Sequence, residues 1–258
     1  MIHRDPDSHK GDNGRVMVIG GSTLFHGAPI LAALAAEYSG VDLVFPIIPP
    51  VHEQVARGYS LNFIIQTFSE NTLTSKDVKG ILALSQKMDA VVIGPGLGAD
   101  SRTKTAVKSL LAHLTVPTVV DASALLYTNS LPKTVVLTPH RGEFKNLTGD
   151  DPTPKNVQKW AKSMHATILV KGPEDIIANK DELAFNKTGN SLMTVGGTGD
   201  ALGGLIGGLI AQKMHPFDAC KYATKLMGQA GDHLAQKKGS LRAIDIIEAI
   251  PEFLHKDK

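Results

Sequence analysis

The feature that most limits the fold is a regular alternation of short apolar runs with segments of helical period. Apolar runs rich in β-branched side chains occupy residues 15–20, 41–47, 63–68, 90–94, 117–121, 134–138 and 167–171. Most are continuously apolar, as strands buried on both faces of a parallel sheet are. Residues 28–39, 75–87, 101–114 and 153–165 have helical periodicity. This alternation predicts a doubly wound, mostly parallel sheet between two helical layers, a three-layer α/β/α fold.

The last third of the chain departs from this alternation. Two short strands, at residues 175–179 and 182–186, lie too close together for an intervening helix and predict a hairpin around Lys180 and Asp181. From Asp200 onward the pattern is only helical, over residues 200–214, 216–237 and 243–254. Because no repeat, low-complexity run or linker divides the chain, we predict a single domain over residues 1–258.

Composition excludes several classes of protein. The 27 basic and 25 acidic residues give a formal charge of +2, which argues against nucleic acid or an anionic membrane as partner. Cys220 is the only cysteine, so neither an internal disulfide nor a cysteine-based metal cluster can form. Residues 1–13 do not resemble a signal peptide, and the longest apolar stretch falls short of the about 20 residues that span a bilayer. We expect a cytoplasmic protein.

A glycine-dense turn leads directly into the most apolar helical segment of the chain. Gly196, Gly197 and Gly199 permit unusual backbone conformations and close approach by a ligand. The N–H groups at such a helix start favour an anion such as phosphate. Asp200 would repel phosphate there, and is better suited to accept a proton from a hydroxyl that attacks phosphorus. Alternatively, Asp200 caps a core helix and the glycines only allow close packing.

Special residues follow several of the predicted strands. Glycine turns or polar residues stand at positions 20–22, 94–98, 121–123, 139–143 and 171–172. Each turn alone is explained by ordinary turn chemistry, but open parallel sheets bind ligands outside the carboxyl ends of their strands. Together the five positions predict a shared cleft. Neither a G-x-G-x-x-G fingerprint nor a Walker A loop occurs, which disfavours the two commonest nucleotide-binding folds.

Four residues outside the glycine turn are candidates with both a structural and a functional interpretation. His140 could bind a polar substrate or satisfy a local hydrogen bond. Glu143 is better explained as a helix cap than as a metal ligand, although it could hold Mg²⁺ through water. Lys171 could face a nucleotide as a point charge or be an ordinary exposed lysine. Cys220 is better explained by packing than as a nucleophile, because no base partner can be named.

Six stretches together resemble the ADP- or ATP-dependent NAD(P)H-hydrate dehydratases, the carbohydrate-kinase-like half of the nicotinamide nucleotide repair system. They are HKGDNGRVMVIGGS, HGAPILAALAAEYSG, GPGLG, TPHRGEF, LVKG and GGTGDALGG, in the family's order across nearly the whole chain. The resemblance implies a ribokinase-like fold. It also implies that ADP or ATP, brought with Mg²⁺, phosphorylates the ring hydroxyl of hydrated NADH or NADPH, after which phosphate leaves.

The resemblance assigns roles to individual residues. Asp200 would be the base that deprotonates the hydroxyl. The anion hole would consist of Gly196, Gly197, Thr198 and Gly199. The hydrated dinucleotide, NAD(P)HX, would contact Ala28, Gly98, His140 and Asp200. The adenine nucleotide would contact Lys171, Gly172, Pro173, Glu174, Asp175 and Gly199. A homo-oligomer is expected, with a tetramer as one arrangement.

The chain departs from the family pattern at two positions. Ser123 stands where an acidic residue is usual, and Asp175 stands where a threonine is usual. The epimerase half that often accompanies this family is missing from the sequence, so we expect the chain to repair only one epimer and to leave the other to a separate protein or to spontaneous epimerisation.

Two other functions compete with dehydration. An ordinary ribokinase-like kinase would use the same aspartate and anion hole but release a stable phosphoester, and TPHRGEF favours the dehydratase over it. A non-catalytic nucleotide sensor would bind nucleotide without turnover. The sequence leaves open ADP against ATP and NADHX against NADPHX.

Overall fold

The computed structural model describes residues 4–254, and its centre is one sheet of nine strands. The strands are β1 (Arg15–Ile19), β2 (Leu43–Ile48), β3 (Gln66–Thr67), β4 (Ala90–Ile93), β5 (Thr118–Val120), β6 (Val135–Leu137), β7 (Thr167–Val170), β8 (Asp175–Ala178) and β9 (Leu183–Asn186). Their order is β3-β2-β1-β4-β5-β6-β7-β8-β9. The strands from β3 to β7 pair in parallel, whereas β8 and β9 are antiparallel to their neighbours. Part of the predicted N-terminal segment, residues 1–3, lies outside the described residues.

The helices of the described residues complete three layers. They are α1 (Gly27–Tyr38), α2 (Glu53–Tyr59), α3 (Ser75–Ser85), α4 (Ser101–His113), α5 (Arg141–Thr148), α6 (Pro154–Ser163), α7 (Thr198–Ala211), α8 (Pro216–Ala235) and α9 (Ala243–Ala249). The predicted doubly wound, mostly parallel α/β/α fold and the hairpin of β8 and β9 are therefore confirmed. Across residues 4–254, every helix is too short or too polar to cross a lipid bilayer.

Three details differ from the sequence prediction. The strand predicted at residues 63–68 shrinks to two exposed residues, and Phe63 makes only an isolated bridge to Val44. The helix predicted at residues 243–254 ends its α-helical part at Ala249, and Pro251, which lacks an N–H group, follows in a 3₁₀ turn. Helix α2 was not predicted; its seven residues include only one buried side chain, so the sequence carries a weak periodic signal.

Two apolar cores cover the two faces of the sheet. Along β1, Val16 and Val18 face one core while Met17 and Ile19 face the other, as the two-residue period of a strand requires. Helices α1, α7, α8 and α9 pack on the first face, and α3, α4, α5 and α6 pack on the second. The sheet is thus buried on both faces. Only the two ends of its strands are left uncovered by the helical layers.

Helices α1 and α7 cross so closely that glycine is required at the contact. A Cβ atom on Gly204 would lie 1.9 Å from the carbonyl oxygen of Ala32, and one on Gly208 would lie 2.1 Å from Ser39 Oγ. Either atom would overlap its neighbour, so the two helices could not keep this separation. The crossing fixes the position of α7 and therefore the position of the glycine turn at its start.

Candidate functional site

The glycine turn forms the start of α7 at the carboxyl edge of the sheet. Gly197 is the N-cap residue, with φ of 96°, and a Cβ atom there would lie 2.3 Å from Leu31 Cδ1. Glycine is needed for both reasons. The Thr198 hydroxyl donates to the carbonyl oxygen of Val195 at 3.0 Å, which braces the turn. The first-turn N–H groups of α7 have no partner within the helix and point out of its start, an arrangement that suits an anion.

Asp200 lies in the first turn of α7 but does not cap it. No side chain caps this helix, so the capping alternative considered for Asp200 is not what the structure shows. Burial raises the pKa of Asp200 to about 7, and the negative charges of Asp121 and Glu143 act in the same direction while Lys171 opposes them. A carboxyl group with this pKa can accept a proton near neutral pH and return it, as a general base must.

A buried ion pair stands directly behind this turn. Lys171 Nζ donates to Asp121 Oδ1 at 2.8 Å, and the side chain of Asp121 is 2% exposed. The Thr138 hydroxyl donates to the same carboxylate oxygen at 2.8 Å. Burial is the strongest single influence on Lys171 and would lower its pKa, but the charge and hydrogen bond of Asp121, together with the charges of Glu143 and Asp200, raise that pKa above its ordinary value, so Lys171 carries its charge. A Cβ atom on Gly199 would lie 3.2 Å from Lys171 Nζ, which places the ammonium group beside the turn.

Asp121 was not singled out from the sequence, although residues 121–123 were marked as following a strand. The available signal was a carboxylate at the end of a buried apolar strand, which is costly unless it is paired. Its partner lies at the end of β7, two strands away in the sheet, so no local spacing could reveal the pair. Ser123, at the position of the family's acidic residue, donates instead to the carbonyl oxygen of Gly94.

A cavity of about 1020 Å³ opens beside the glycine turn. Among its lining residues are the predicted His140, Lys171, Gly172, Pro173, Asp175, Gly196, Thr198 and Gly199. The structure therefore brings these predicted residues together around one space. Glu174, Gly197 and Asp200 are neighbours of the lining in sequence, but the lining does not include them.

The far wall of the cavity is formed by the hairpin and the segment after it. The sequence predicts the hairpin but does not indicate its part in this wall. Asn186, Thr188 and Asn190 line it. Asn186 Nδ2 donates to Asp175 Oδ2 at 3.0 Å, and the Gly172 N–H group donates to Asp175 Oδ1 at 3.0 Å. Burial nevertheless raises the pKa of Asp175. The Asp175 position therefore belongs to a hydrogen-bonded wall rather than to an open loop.

His140 joins the end of β6 to the start of α5. It forms an isolated parallel bridge to Lys171, which sets the two residues side by side at the strand ends. Its Nδ1 accepts from the N–H group of Glu143, while the Glu143 carboxylate accepts from the N–H group of His140, a capping box. Glu143 thus makes the cap interpreted from the sequence, and Nε2 of the exposed His140 ring lies 3.6 Å from Glu143 Oε2.

Ala28 and Gly98 are not among the residues that line the cavity. A Cβ atom on Gly96 would lie 3.2 Å from Ala28 Cβ, and one on Gly98 would lie 3.6 Å from Ser22 Oγ. These contacts bring together the loops that follow β1 and β4. One helical turn after Ala28, Leu31 packs against Gly197. The glycine turn therefore adjoins two surfaces, the cavity and the surface that carries Ala28 and Gly98.

Known proteins match this chain along almost its whole length. The sequence model of the NAD(P)H-hydrate dehydratase family matches residues 16–252. An ADP-dependent (S)-NAD(P)H-hydrate dehydratase from Nitrosopumilus maritimus is 39% identical over 96% of this chain and 90% of its own length. A bifunctional NAD(P)H-hydrate repair enzyme from Hyperthermus butylicus is 38% identical over 96% of this chain. The chain covers 50% of that relative, and so spans about half the length of the bifunctional proteins it matches.

Solved structures agree in fold. A ribokinase-like superfamily protein from Enterococcus faecalis superposes with a TM-score of 0.89 at 28% identity, covering 98% of this chain and 90% of the other. The ADP/ATP-dependent NAD(P)H-hydrate dehydratase from Bacillus subtilis, co-crystallized with ATP and Mg²⁺, superposes with a TM-score of 0.84 at 27% identity, covering 98% and 92%.

Proposed function

The chain belongs to the NAD(P)H-hydrate dehydratase family, and on that premise we propose that it repairs hydrated NADH and NADPH at the expense of an adenine nucleotide. The observation that carries the proposal is Asp200, a carboxyl group with a pKa of about 7 in the first turn of a helix whose free N–H groups face outward. A base and an anion site are thus three residues apart or less. Phosphorylating an alcohol needs both.

The chemistry follows from this pair. The substrate's ring hydroxyl gives its proton to the Asp200 carboxylate while its oxygen attacks the terminal phosphorus of ADP or ATP. The bond between that phosphorus and the bridging oxygen breaks, and the shortened nucleotide leaves. The new C–O–P ester then breaks at its C–O bond, phosphate departs with the electron pair, and loss of a ring proton restores the double bond. The turn from Gly196 to Gly199 would bind the transferring phosphoryl group through its N–H groups.

The two surfaces beside the turn suit the two substrates. The cavity lined by Lys171, Gly172, Pro173 and Asp175 would hold the adenine nucleotide, with Glu174 at its rim. Ala28 and Gly98 would contact the dinucleotide on the other surface, and His140 would reach it from the end of β6. The relative from Nitrosopumilus maritimus is named ADP-dependent and the Bacillus subtilis enzyme ADP/ATP-dependent, so either donor is part of the proposal.

Magnesium is proposed to accompany the nucleotide. Mg²⁺ keeps several water ligands and binds mainly to phosphates with one or two carboxylates, so it does not need a site of three or more protein side chains. Within residues 4–254, no such group of His, Cys, Asp or Glu side chains is found. Glu143, at the edge of the cleft, would reach the ion through water. When bound, the ion would neutralise charge on the phosphates.

The remaining expectations belong to the same proposal. We infer a single domain that assembles as a homo-oligomer, with a tetramer as one arrangement, in the cytoplasm.

The test is recovery of the near-ultraviolet absorbance of NADH from chemically hydrated NADH, with Mg²⁺ and either ADP or ATP. We expect recovery to require nucleotide and to fall about 100-fold or more in Asp200→Asn, because a general base is lost. Asp218→Asn is the matched control, since Asp218 is the third residue of α8 as Asp200 is of α7, and it lies outside the cleft.

Two results would contradict the proposal. Recovery that continues unchanged in Asp200→Asn would remove Asp200 from the reaction. No recovery with either donor, in protein that binds nucleotide, would reject dehydration; a stable phosphoester on a small alcohol would then identify a kinase.

A further inference from the structure

The position of Lys171 raises a question that the proposed reaction does not answer. Its ammonium group lies beside Gly199, the residue before the proposed base, and it acts electrostatically on Asp200. A lysine on a flexible stem next to a carboxylate normally pairs with it. Among the described residues, however, Asp200 forms no salt bridge, and Lys171 pairs instead with Asp121. A carboxylate bound to an ammonium group is a weaker base.

Asp121 is the more firmly anchored of the two carboxylates. Its oxygen Oδ1 already accepts from the Thr138 hydroxyl at 2.8 Å. Its backbone is also closely packed. Gly94 lies so near that a Cβ atom on it would be 1.8 Å from the Asp121 carbonyl oxygen. A Cβ atom on Gly203 would lie 3.5 Å from Asp121 Oδ2, so the carboxylate also lies along α7, one turn after Asp200. The anchored Asp121 carboxylate therefore determines the position of the flexible Lys171 ammonium group.

We propose that Asp121 is a positioning residue that holds the Lys171 ammonium group away from the Asp200 carboxylate, so that Asp200 stays free to accept the substrate's proton. The role of Asp200 in this statement rests on the proposed function. The same ion pair keeps the Lys171 ammonium group beside the glycine turn, where the phosphates of a nucleotide would contact it. Asp121 itself is too deeply buried to touch substrate.

The other groups around Asp200 do not supply a competing explanation. Glu143 on α5 acts on Asp200 as a second like charge, and Asp121 and Lys171 act from the ends of β5 and β7. From α1 and α9, the residues packed on the turn at Gly197 are the apolar Leu31 and Ala243. Lys171 is thus the cation that acts on Asp200, and Asp121 is the group that holds it.

The experiment measures the titration of Asp200 directly, by NMR of protein carrying ¹³C-labelled aspartate carboxyl groups, with the resonance assigned by its loss in Asp200→Asn. In Asp121→Asn, we expect the Asp200 midpoint to fall by about 1 pH unit or more, because a like charge is lost and the released ammonium group moves to Asp200. In the double variant Asp121→Asn with Lys171→Met, the midpoint should rise again towards the wild-type value, since the cation is gone too.

The matched control is Asp89→Asn. Asp89 also forms a salt bridge with a lysine, Lys213, at 2.7 Å, but it stands before β4, at the opposite edge of the sheet. Its loss should leave the Asp200 midpoint unchanged. Circular dichroism and thermal unfolding confirm the fold of each variant. If Asp121→Asn does not fold, Asp121→Ser, which removes the charge and keeps a hydroxyl partner for Thr138, carries the same expectation.

Two outcomes overturn the proposal: a midpoint that does not fall in Asp121→Asn or Asp121→Ser, or one that stays low after Lys171→Met is added. Turnover gives an independent comparison, because the acid limb of the kcat profile should move to lower pH together with the NMR midpoint. If the wild-type protein repairs no hydrated NADH, the proposed function fails, while the NMR titration still decides the role of Asp121.

Discussion

The surroundings of Asp200 disfavour the negative charge of its own carboxylate. A carboxylate at the start of a helix is normally favourable, because the N–H groups there attract negative charge. At Asp200 the cost of burial and the nearby charges of Asp121 and Glu143 outweigh that attraction, and the pKa is raised to about 7. The fold thus places a carboxylate of raised pKa in a turn that suits an anion, and this placement lowers the stability of the folded protein.

This cost predicts how Asp200→Asn changes stability with pH. The unfolded chain loses the Asp200 proton near its ordinary pKa of 3.8, whereas the folded protein keeps it up to about 7. The folded state binds more protons between these values, so the contribution of this group to stability is greatest below the lower value and falls as pH rises through the upper one. Asparagine has no such dependence. We therefore expect Asp200→Asn to unfold at a temperature a few degrees higher than wild type at about pH 8, and at nearly the same temperature at about pH 4.

Thermal unfolding followed by circular dichroism at the two pH values checks this expectation. Asp218→Asn again serves as the control and should show no comparable gain, because Asp218 is mostly exposed at the start of α8. An Asp200→Asn protein that is less stable than wild type at the higher pH would show that the carboxylate is held by favourable contacts.

At the scale of elements, the crossing of α1 and α7 decides where the site is. Gly204 and Gly208 meet α1 backbone and side-chain atoms, so these two glycines serve packing and not ligand binding. Close helix packing is therefore the role of the glycines in this part of α7. A Cβ atom on Gly196, by contrast, would meet nothing within 4 Å. One glycine-rich segment thus contains residues with two different purposes.

We predict that Gly204→Ala destabilises the protein by about 1–3 kcal/mol, because the added methyl group must push α1 away from α7. The displacement would also move the turn at Gly197, so repair activity should fall with it. The control is Gly80→Ala at an exposed position of α3, where an added Cβ would meet nothing within 4 Å. Alanine favours a helix over glycine, so this variant should be about 0.5–1 kcal/mol more stable than wild type.

Urea unfolding of the two variants measures both values. Equal and small changes in Gly204→Ala and Gly80→Ala would mean that the crossing can relax without cost, and the close approach would then have no role in placing α7.

The sequence predicted elements better than it predicted the residues between them. Strands such as β1 and β4 are recognisable because they are continuously apolar, and α6 because Thr153 and Pro154 mark its start. The two-residue edge strand β3 is exposed and has no such pattern. Asp121 and the cavity wall at Asn186 depend on strands that are neighbours only in the folded sheet, so their partners cannot be identified from local spacing.

At the scale of the whole molecule, one sheet joins two apolar cores. Every strand from β1 to β7 contributes side chains to at least one core, except the exposed β3. The single domain stays a prediction, and the shared sheet supports it, since neither core could keep its packing if the strands separated. The residues that line the cavity beside the glycine turn come from the second half of the chain, between His140 and Gly228.

We predict that the protein unfolds in a single cooperative transition. Trp160, the only tryptophan, packs on the core formed by α3 to α6, so its fluorescence reports that face. Far-ultraviolet circular dichroism reports both faces, including the long helices α7 and α8. In urea the two signals should give the same midpoint. Separate midpoints would show two units that unfold independently, against the single domain.

The crossing of α1 and α7 also has a consequence for how the protein is made. Helix α1 leaves the ribosome among the first elements, but the α7 backbone against which its Ala32 carbonyl lies is synthesised only near the end of the chain. Strand β1 also lacks partners early in synthesis, because its neighbour β4 and the helix α7 that covers one of its faces come later in the chain. The apolar face of α1 must therefore remain uncovered during most of synthesis. This early helix is where we expect a nascent chain to depend on chaperones, since exposed apolar surface aggregates, and the glycine turn at the start of α7 is among the last parts of the protein to form.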